Sequence, residues 1–265
     1  MENKIKVNND KLYKEMEKIY KSLKNGEKSK NNKKVKFLEK ISFEKKDGIT
    51  YTGSTKLDEI TRGFIPGIIT EIYGSSNTGK TQIAFQISVN TAKTGKNIIF
   101  IDTTGNFRPE RIADMSIAQK LEQDSIMEKI FVIKCLSVEH QMNIINTINN
   151  FSKTKKIDLI IIDEISRNFL QGDERNEIIL KSLFNLHLHK LSHMAHDLDI
   201  PILVINTIRT KIKNKYNIET TTLNSIIDRI IHFKIHLKNI NDKRYAENEY
   251  TKECTFRITK EGIKD

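Results

Sequence analysis

Gly74-Ser75-Ser76-Asn77-Thr78-Gly79-Lys80-Thr81 reads G-x-x-x-x-G-K-T, and few folds can carry that octet. An apolar run ending at Tyr73 leads into it, and Thr81-Gln82-Ile83-Ala84-Phe85-Gln86-Ile87 leads out at helical spacing. A strand, a glycine-bearing turn and a helix, in that order, are what phosphate binding requires. Backbone N–H groups of the turn and of the helix N-terminus hold the phosphates, Lys80 adds a point charge, and Thr81 ligates magnesium. Gln82 adjoins them in the first helical turn. The octet and its flanks specify a site for ATP or GTP. Leu159-Ile160-Ile161-Ile162-Asp163 supplies the second half: an apolar strand that ends in an acid, placed to hold magnesium directly or through water.

Strand-like and helical stretches alternate from about Phe43 onward, which predicts an α/β domain with a mainly parallel, twisted sheet flanked by helices. Strands are expected at Ile68–Tyr73, Asn97–Asp102, Ile130–Lys134, Leu159–Asp163 and Ile202–Asn206, and later at 226–238 and 254–259. A long helix is expected at 174–198. Ahead of the domain, Leu12, Tyr13, Met16, Ile19, Tyr20 and Leu23 recur at helical spacing, and the polar, basic stretch from Lys24 to Lys36 reads as a linker. The division is therefore a basic helical extension over 1–42 and a globular core over 43–265.

Net charge is +11, and it is uneven: residues 1–40 carry thirteen Lys against six acids, leaving +4 on the remaining 225 residues. A basic arm of that kind suits nucleic acid, although a merely solvated terminus has the same composition. Cys135 and Cys254 stand alone without metal or disulfide spacing, which points to a reducing interior. No stretch has membrane-spanning length and no signal peptide opens the chain, so the expectation is an intracellular protein with no membrane partner. That means cytoplasm or nucleoid in an archaeal cell, the nucleus in a eukaryotic one.

Beyond the octet, the chain resembles RecA-type recombinase cores. Thr52-Gly53-Ser54-Thr55-Lys56-Leu57-Asp58-Glu59 and Ile69-Thr70-Glu71-Ile72-Tyr73-Gly74 look like their opening. Ile101-Asp102-Thr103, then Phe107-Arg108-Pro109-Glu110-Arg111-Ile112, is similar to archaeal RadA and its eukaryotic counterparts. The ending Phe256–Asp265 matches the RadA/RadB tail. The likeness covers about residues 48–265. The short N-terminus and Asp199-Ile200-Pro201-Ile202-Leu203-Val204-Ile205-Asn206 look more like RadB, the accessory paralogue. The resemblance implies a RecA-like ATPase core that binds ATP and magnesium, with Lys80 in catalysis, Thr81 and Asp163 on the metal, and Arg108 or Arg111 near the adenine. It also implies DNA, single-stranded above all, and a RadA-type recombinase or other recombination protein as partners.

Departures from the pattern bear on activity. Family members read Asp-Thr-Glu-Gly where this chain has Asp102-Thr103-Thr104-Gly105. That glutamate polarises the attacking water, and a threonine hydroxyl cannot take its proton at neutral pH. Glu164, next to Asp163, is the candidate replacement base unless it faces a helix or solvent, the orientation the sequence favours. Position 207 is Thr where the family has Gln, a residue thought to relay the γ-phosphate state to DNA. A first DNA loop is expected near Leu170–Asn176, with Asp173 and Glu174 against Arg175, and a second near Ile208–Leu223. The second carries Arg209, Lys211, Lys213 and Lys215, which could track a phosphate backbone.

RadA polymerises through a Phe-x-x-Ala segment. Phe37-Leu38-Glu39-Lys40 and Phe43-Glu44-Lys45-Lys46 lack its alanine, and the residues that cover a neighbour's ATP are not evident around Tyr245–Glu253, which argues against a long homofilament. His189, His193 and His196 share a helical face near His187, but no carboxylate or cysteine accompanies them, so a packed or solvated helix is the better reading than zinc. The leading expectation is a RadB-like ATP- and DNA-binding accessory protein of recombination and repair with weak or absent hydrolysis. Two alternatives stand beside it: an active RadA-like strand-exchange ATPase, and a KaiC-like regulatory ATPase acting through protein partners.

Overall fold

In the computed structural model the described residues are 48–170, 177–213, 216–221, 223–231, 233–249 and 253–265, with the backbone alone described for 209–221. The chain divides into two units, Met1–Lys45 and Lys46–Asp265. The first unit, with the expected helix at 10–24, the linker, the boundary at 42/43 and both Phe-led segments, lies outside the described residues, as does most of the first DNA loop.

Lys46–Asp265 is an α/β core. Its strands are β1 (Ile69–Gly74), β2 (Ile98–Asp102), β3 (Ile130–Lys134), β4 (Leu159–Asp163), β5 (Ile202–Lys213), β6 (Tyr216–Thr221), β7 (Phe233–Ile240), β8 (Lys243–Asn248), β9 (Cys254–Thr259) and β10 (Gly262–Lys264). Its helices are α1 (Thr55–Thr61), α2 (Lys80–Ala92), α3 (Pro109–Ala118), α4 (Gln123–Met127), α5 (Val138–Ser152), α6 (Glu177–Leu198) and α7 (Asn224–Ile230). The sheet order is β10-β9-β8-β7-β1-β5-β4-β2-β3, with β6 paired to β5. From β7 to β3 the pairs are parallel, and β7 through β10 continue antiparallel.

The central strands are apolar throughout because both of their faces are covered. Ile98, Phe100, Leu159, Ile161, Leu203 and Ile205 pack on one side with Ile83, Phe85 and Ile87 of α2 and Ile112 and Met115 of α3. The alternate residues Ile99, Ile101, Ile160, Ile162, Ile202 and Val204 pack on the other with α5, α6 and α7. Each such side chain stabilises the fold by roughly 1.5–3 kcal/mol when fully buried.

Two expectations fail. Residues 226–238 are not one strand: Asn224–Ile230 is helix and β7 starts at Phe233. Ile226 and Ile227, then Ile230 and Ile231, recur four apart, so they line one face of a helix that packs against the α6 side of the sheet. The stretch from Ile208 is not an open loop either. β5 runs on to Lys213 and pairs antiparallel with β6, from Ile208 opposite Thr221 to Lys213 opposite Tyr216. Among the described residues no helix is long and apolar enough to cross a membrane.

Candidate nucleotide-binding site

Register brings the chemistry to one edge. Gly74 at the end of β1 lies beside Thr207 of β5, and Asp163 at the end of β4 lies beside both Asp102 of β2 and Ile205 of β5. These are the carboxyl ends of parallel strands, where open α/β sheets bind ligands.

The loop between β1 and α2 is shaped by backbone. Ser75, Ser76 and Asn77 are exposed while Thr78 is buried, its hydroxyl donating to the Ser75 carbonyl at 3.0 Å. Gly79 caps α2 at φ 106°, in the left-handed region, with Ile258 and Phe256 of β9 packed behind it. At Gly74 a Cβ would lie 2.2 Å from the Leu237 carbonyl oxygen, so only glycine lets the strand turn there. The octet therefore depends on the C-terminal strands behind it, as well as on its own residues.

Lys80 is 7% exposed. Its Nζ donates to the carbonyl oxygens of Gly74 at 2.9 Å and Ser75 at 2.7 Å, folding the ammonium over its own loop. Burial lowers the Lys80 pKa below its ordinary value, and the charges of Glu164 and Asp163 oppose the shift. Thr81 Oγ1 donates to Asp163 Oδ2 at 2.7 Å. Burial pushes the Asp163 carboxyl up to about 6, with Glu164 and Asp102 adding to the rise and Thr81 and Lys80 countering it. A hydroxyl and a carboxylate converging next to a lysine form a hard-oxygen donor pair of the kind magnesium takes.

The second carboxylate, Glu164, is 6% exposed and faces neither solvent nor a helix. Its Oε1 accepts from the Thr207 N–H at 3.3 Å and lies 3.4 Å from Ser166 Oγ, and its Oε2 accepts from Thr207 Oγ1 at 3.0 Å. The Glu164 N–H donates to Thr103 Oγ1 at 2.6 Å, fixing the start of the residue to β2. Thr104 is turned away from any such task. Its hydroxyl donates to Asp102 Oδ1 at 2.9 Å, and Asp102 also accepts from the N–H groups of Thr104, Gly105, Asn106 and Phe107. Burial alone would raise the Asp102 pKa, but those donors outweigh it and hold the carboxyl below its ordinary value.

The Rad51 family model matches residues 48–265, which take in the octet, Asp163 and the C-terminal hairpin. The chain belongs to the Rad51 family. It is also 30% identical over 232 residues to the DNA repair and recombination protein RadA of Aeropyrum pernix, covering 81% of this chain and 72% of that protein.

Within this Rad51-family core the two arginines expected near the adenine part company. Arg111 Nε donates to Gln82 Oε1 at 2.7 Å and its guanidinium also donates to the carbonyls of Lys260, at 2.7 Å, and Thr259. It clamps α2 and α3 to the β9–β10 turn, and it occupies Gln82 as well. Arg108 precedes α3, exposed, and its side chain makes no hydrogen bond among the described residues. Of the basic residues expected on DNA, Arg209, Lys211 and Lys213 stand at alternate positions of β5 in the hairpin. Their side chains, and Lys215 altogether, lie outside the described residues.

A polar chain behind the site went unread in the sequence. Ser166 Oγ donates to Asn206 Oδ1 at 2.7 Å, Asn206 Nδ2 donates to Glu71 Oε1 at 2.9 Å, and Glu71 Oε2 lies 3.5 Å from Lys234 Nζ. The available signal was a polar residue in the middle of each of two apolar strands, Glu71 in β1 and Asn206 in β5. Among the described residues no three His, Cys, Asp or Glu come together to hold a metal. His187 is fully buried against Phe169, ring centroids 5.8 Å apart, with no hydrogen-bond partner for either nitrogen.

Proposed function

We propose that this chain is an ATP- and DNA-binding accessory protein of homologous recombination and repair, RadB-like in build, that hydrolyses ATP slowly with Glu164 as general base. Lys80 and the Gly74–Thr81 backbone would hold the phosphates. Thr81 and Asp163 would hold magnesium, which when bound offsets phosphate charge. The observation that carries the reading is the placement of Glu164: a buried carboxylate beside Asp163, near enough for its charge to act on Lys80. Thr104, in the place of the family's glutamate, has its hydroxyl committed to Asp102. The water would pass its proton to a Glu164 oxygen as its own oxygen bonds to the γ-phosphorus and the bond to the bridging oxygen breaks. Slow turnover follows from Thr104 standing in the place of the family's glutamate, since its hydroxyl cannot take the water's proton at neutral pH.

For DNA, the support is the alternation of Arg209, Lys211 and Lys213 along the hairpin strand, which suits a sequence-independent, salt-sensitive grip on phosphates. The test is ATP turnover by purified protein with and without oligo(dT), set beside the K80A and E164Q variants. Slow turnover that K80A abolishes and that E164Q lowers by about 10²-fold is expected. Turnover that survives E164Q would remove Glu164 from the chemistry, and turnover comparable to a strand-exchange enzyme, with filaments on DNA, would replace the accessory reading.

A further inference from the structure

We propose that Thr207 is a positioning residue for Glu164, an inference that rests on the base assignment above. Thr207 supplies two donors to one carboxylate, its N–H to Oε1 and its hydroxyl to Oε2. Two donors from one residue fix both the place and the plane of a carboxylate; a single bond would leave it free to rotate. Glu164 has little else to orient its head group. Ser166 reaches Oε1 at 3.4 Å, a marginal contact, and its hydroxyl also donates to Asn206 at 2.7 Å. Thr103 holds only the Glu164 main chain, donating to its carbonyl and accepting from its N–H.

The Thr207 backbone is well placed for such a role. It is the last β5 residue paired with β1, opposite Gly74, and Ile208, the next residue, is the first paired with β6. The two donors therefore come from a point registered to the phosphate loop itself. A carboxylate locked to that point keeps its distance from the phosphates, which is what a base needs to meet a water in line. Misplacing a catalytic group by about 1 Å is enough to cost on the order of 10²-fold.

T207V keeps the shape and the N–H and deletes the hydroxyl; T207S restores the hydroxyl without the methyl. Steady-state kcat and KM, with mant-ATP binding measured in parallel, separate positioning from structure. The expected result is kcat about tenfold lower in T207V, KM and mant-ATP affinity within about twofold of the wild type, and T207S within about twofold in every parameter. Because Thr207 acts through Glu164, T207V/E164Q should turn over no more slowly than E164Q alone. A T207V enzyme with wild-type kcat, a T207S as impaired as T207V, a loss of mant-ATP binding that parallels kcat, or a double variant slower than E164Q by the full T207V factor would each overturn the proposal. The base assignment fails in a separate place: E164Q itself would then turn over like the wild type, and the positioning role would fall with it.

Discussion

Around Gly74–Lys80 the polar contacts are made largely by main chain. The Lys80 ammonium rests on two carbonyl oxygens, Thr78 bonds to one of the same two, that of Ser75, and two glycines stand where a Cβ would collide or the backbone turns left-handed. At the tips of β2, β4 and β5 the contacts are between side chains: Thr104 with Asp102, Glu164 with Thr207, Ser166 with Asn206. A main-chain cradle tolerates few substitutions because geometry dictates its residues, so it stays readable as a motif. A side-chain constellation can be rewired one residue at a time while the strands stay put. On the proposed function, the first would hold the nucleotide and the second would set the turnover.

The largest expected effect breaks the first half. K80A removes the charge that lies over the loop, and turnover should fall by roughly 10²–10³-fold to background, with mant-ATP affinity falling alongside. A variant that kept both would mean that the backbone alone suffices to hold the phosphates.

Restoring the family's residue sharpens the second half. T104E places a carboxylate where the recombinase pattern that the sequence resembles has glutamate, and it gives up only one of the five donors to Asp102, the hydroxyl. If the missing base limits the rate, turnover should rise about 10–100-fold, within the range a general base contributes. Unchanged turnover would put the limit elsewhere, in product release or nucleotide exchange.

How much of this contrast the sequence displayed depends on the same physics. Leu159–Asp163 was legible because burial on two faces leaves an Ile-rich run, and both it and the partly exposed edge strand Ile130–Lys134 have the expected bounds in the structure. The β5–β6 hairpin was not, since Arg209, Lys211 and Lys213 alternate with Thr210 and Ile212, and Tyr216–Thr221 is mostly polar, compositions that read equally well as loop. Helix α7 was misread as strand because β-branched Ile dominates it, although the pairs four apart carried the helical signal. At the site, Asp163 and the octet could be located from sequence. The direction of Glu164 could not, because it depends on Thr207, which register alone brings beside the phosphate loop.

Away from both halves, His187 offers a control on stability without chemistry. Burial pushes its pKa down to about 4 from an ordinary 6.5, and the nearby Lys190 adds to the shift. A group whose folded pKa is depressed in this way resists protonation in the native state only. Its neutral form is in place above pH 6.5, and stability is lost as pH falls from 6.5 toward 4 while the unfolded chain takes up the proton. The shift corresponds to about 3 kcal/mol by linkage. H187L should remove that slope and, by deleting two unsatisfied nitrogens, hold or slightly raise stability at pH 7. Urea melts at pH 7, 6 and 5 check it, and parallel slopes for the two proteins would place the sensitivity in another group.

The smallest effect separates the two arginines. Arg111 bridges Gln82 to the carbonyls of Thr259 and Lys260, so its loss should loosen the β9–β10 turn and the end of β9, whose Phe256 and Ile258 pack behind Gly79. R111A should cost about 1 kcal/mol, the worth of one or two partly exposed hydrogen bonds, seen as a melting temperature lower by about 2–4 °C in a core of this size. It should leave the preference for ATP over GTP unchanged. Arg108 has no comparable anchor, so R108A should leave the melting temperature in place. A change in base preference in R108A alone would put Arg108 against the adenine; the same change in R111A would mean that the clamp opens when nucleotide binds, and that Gln82 is freed with it.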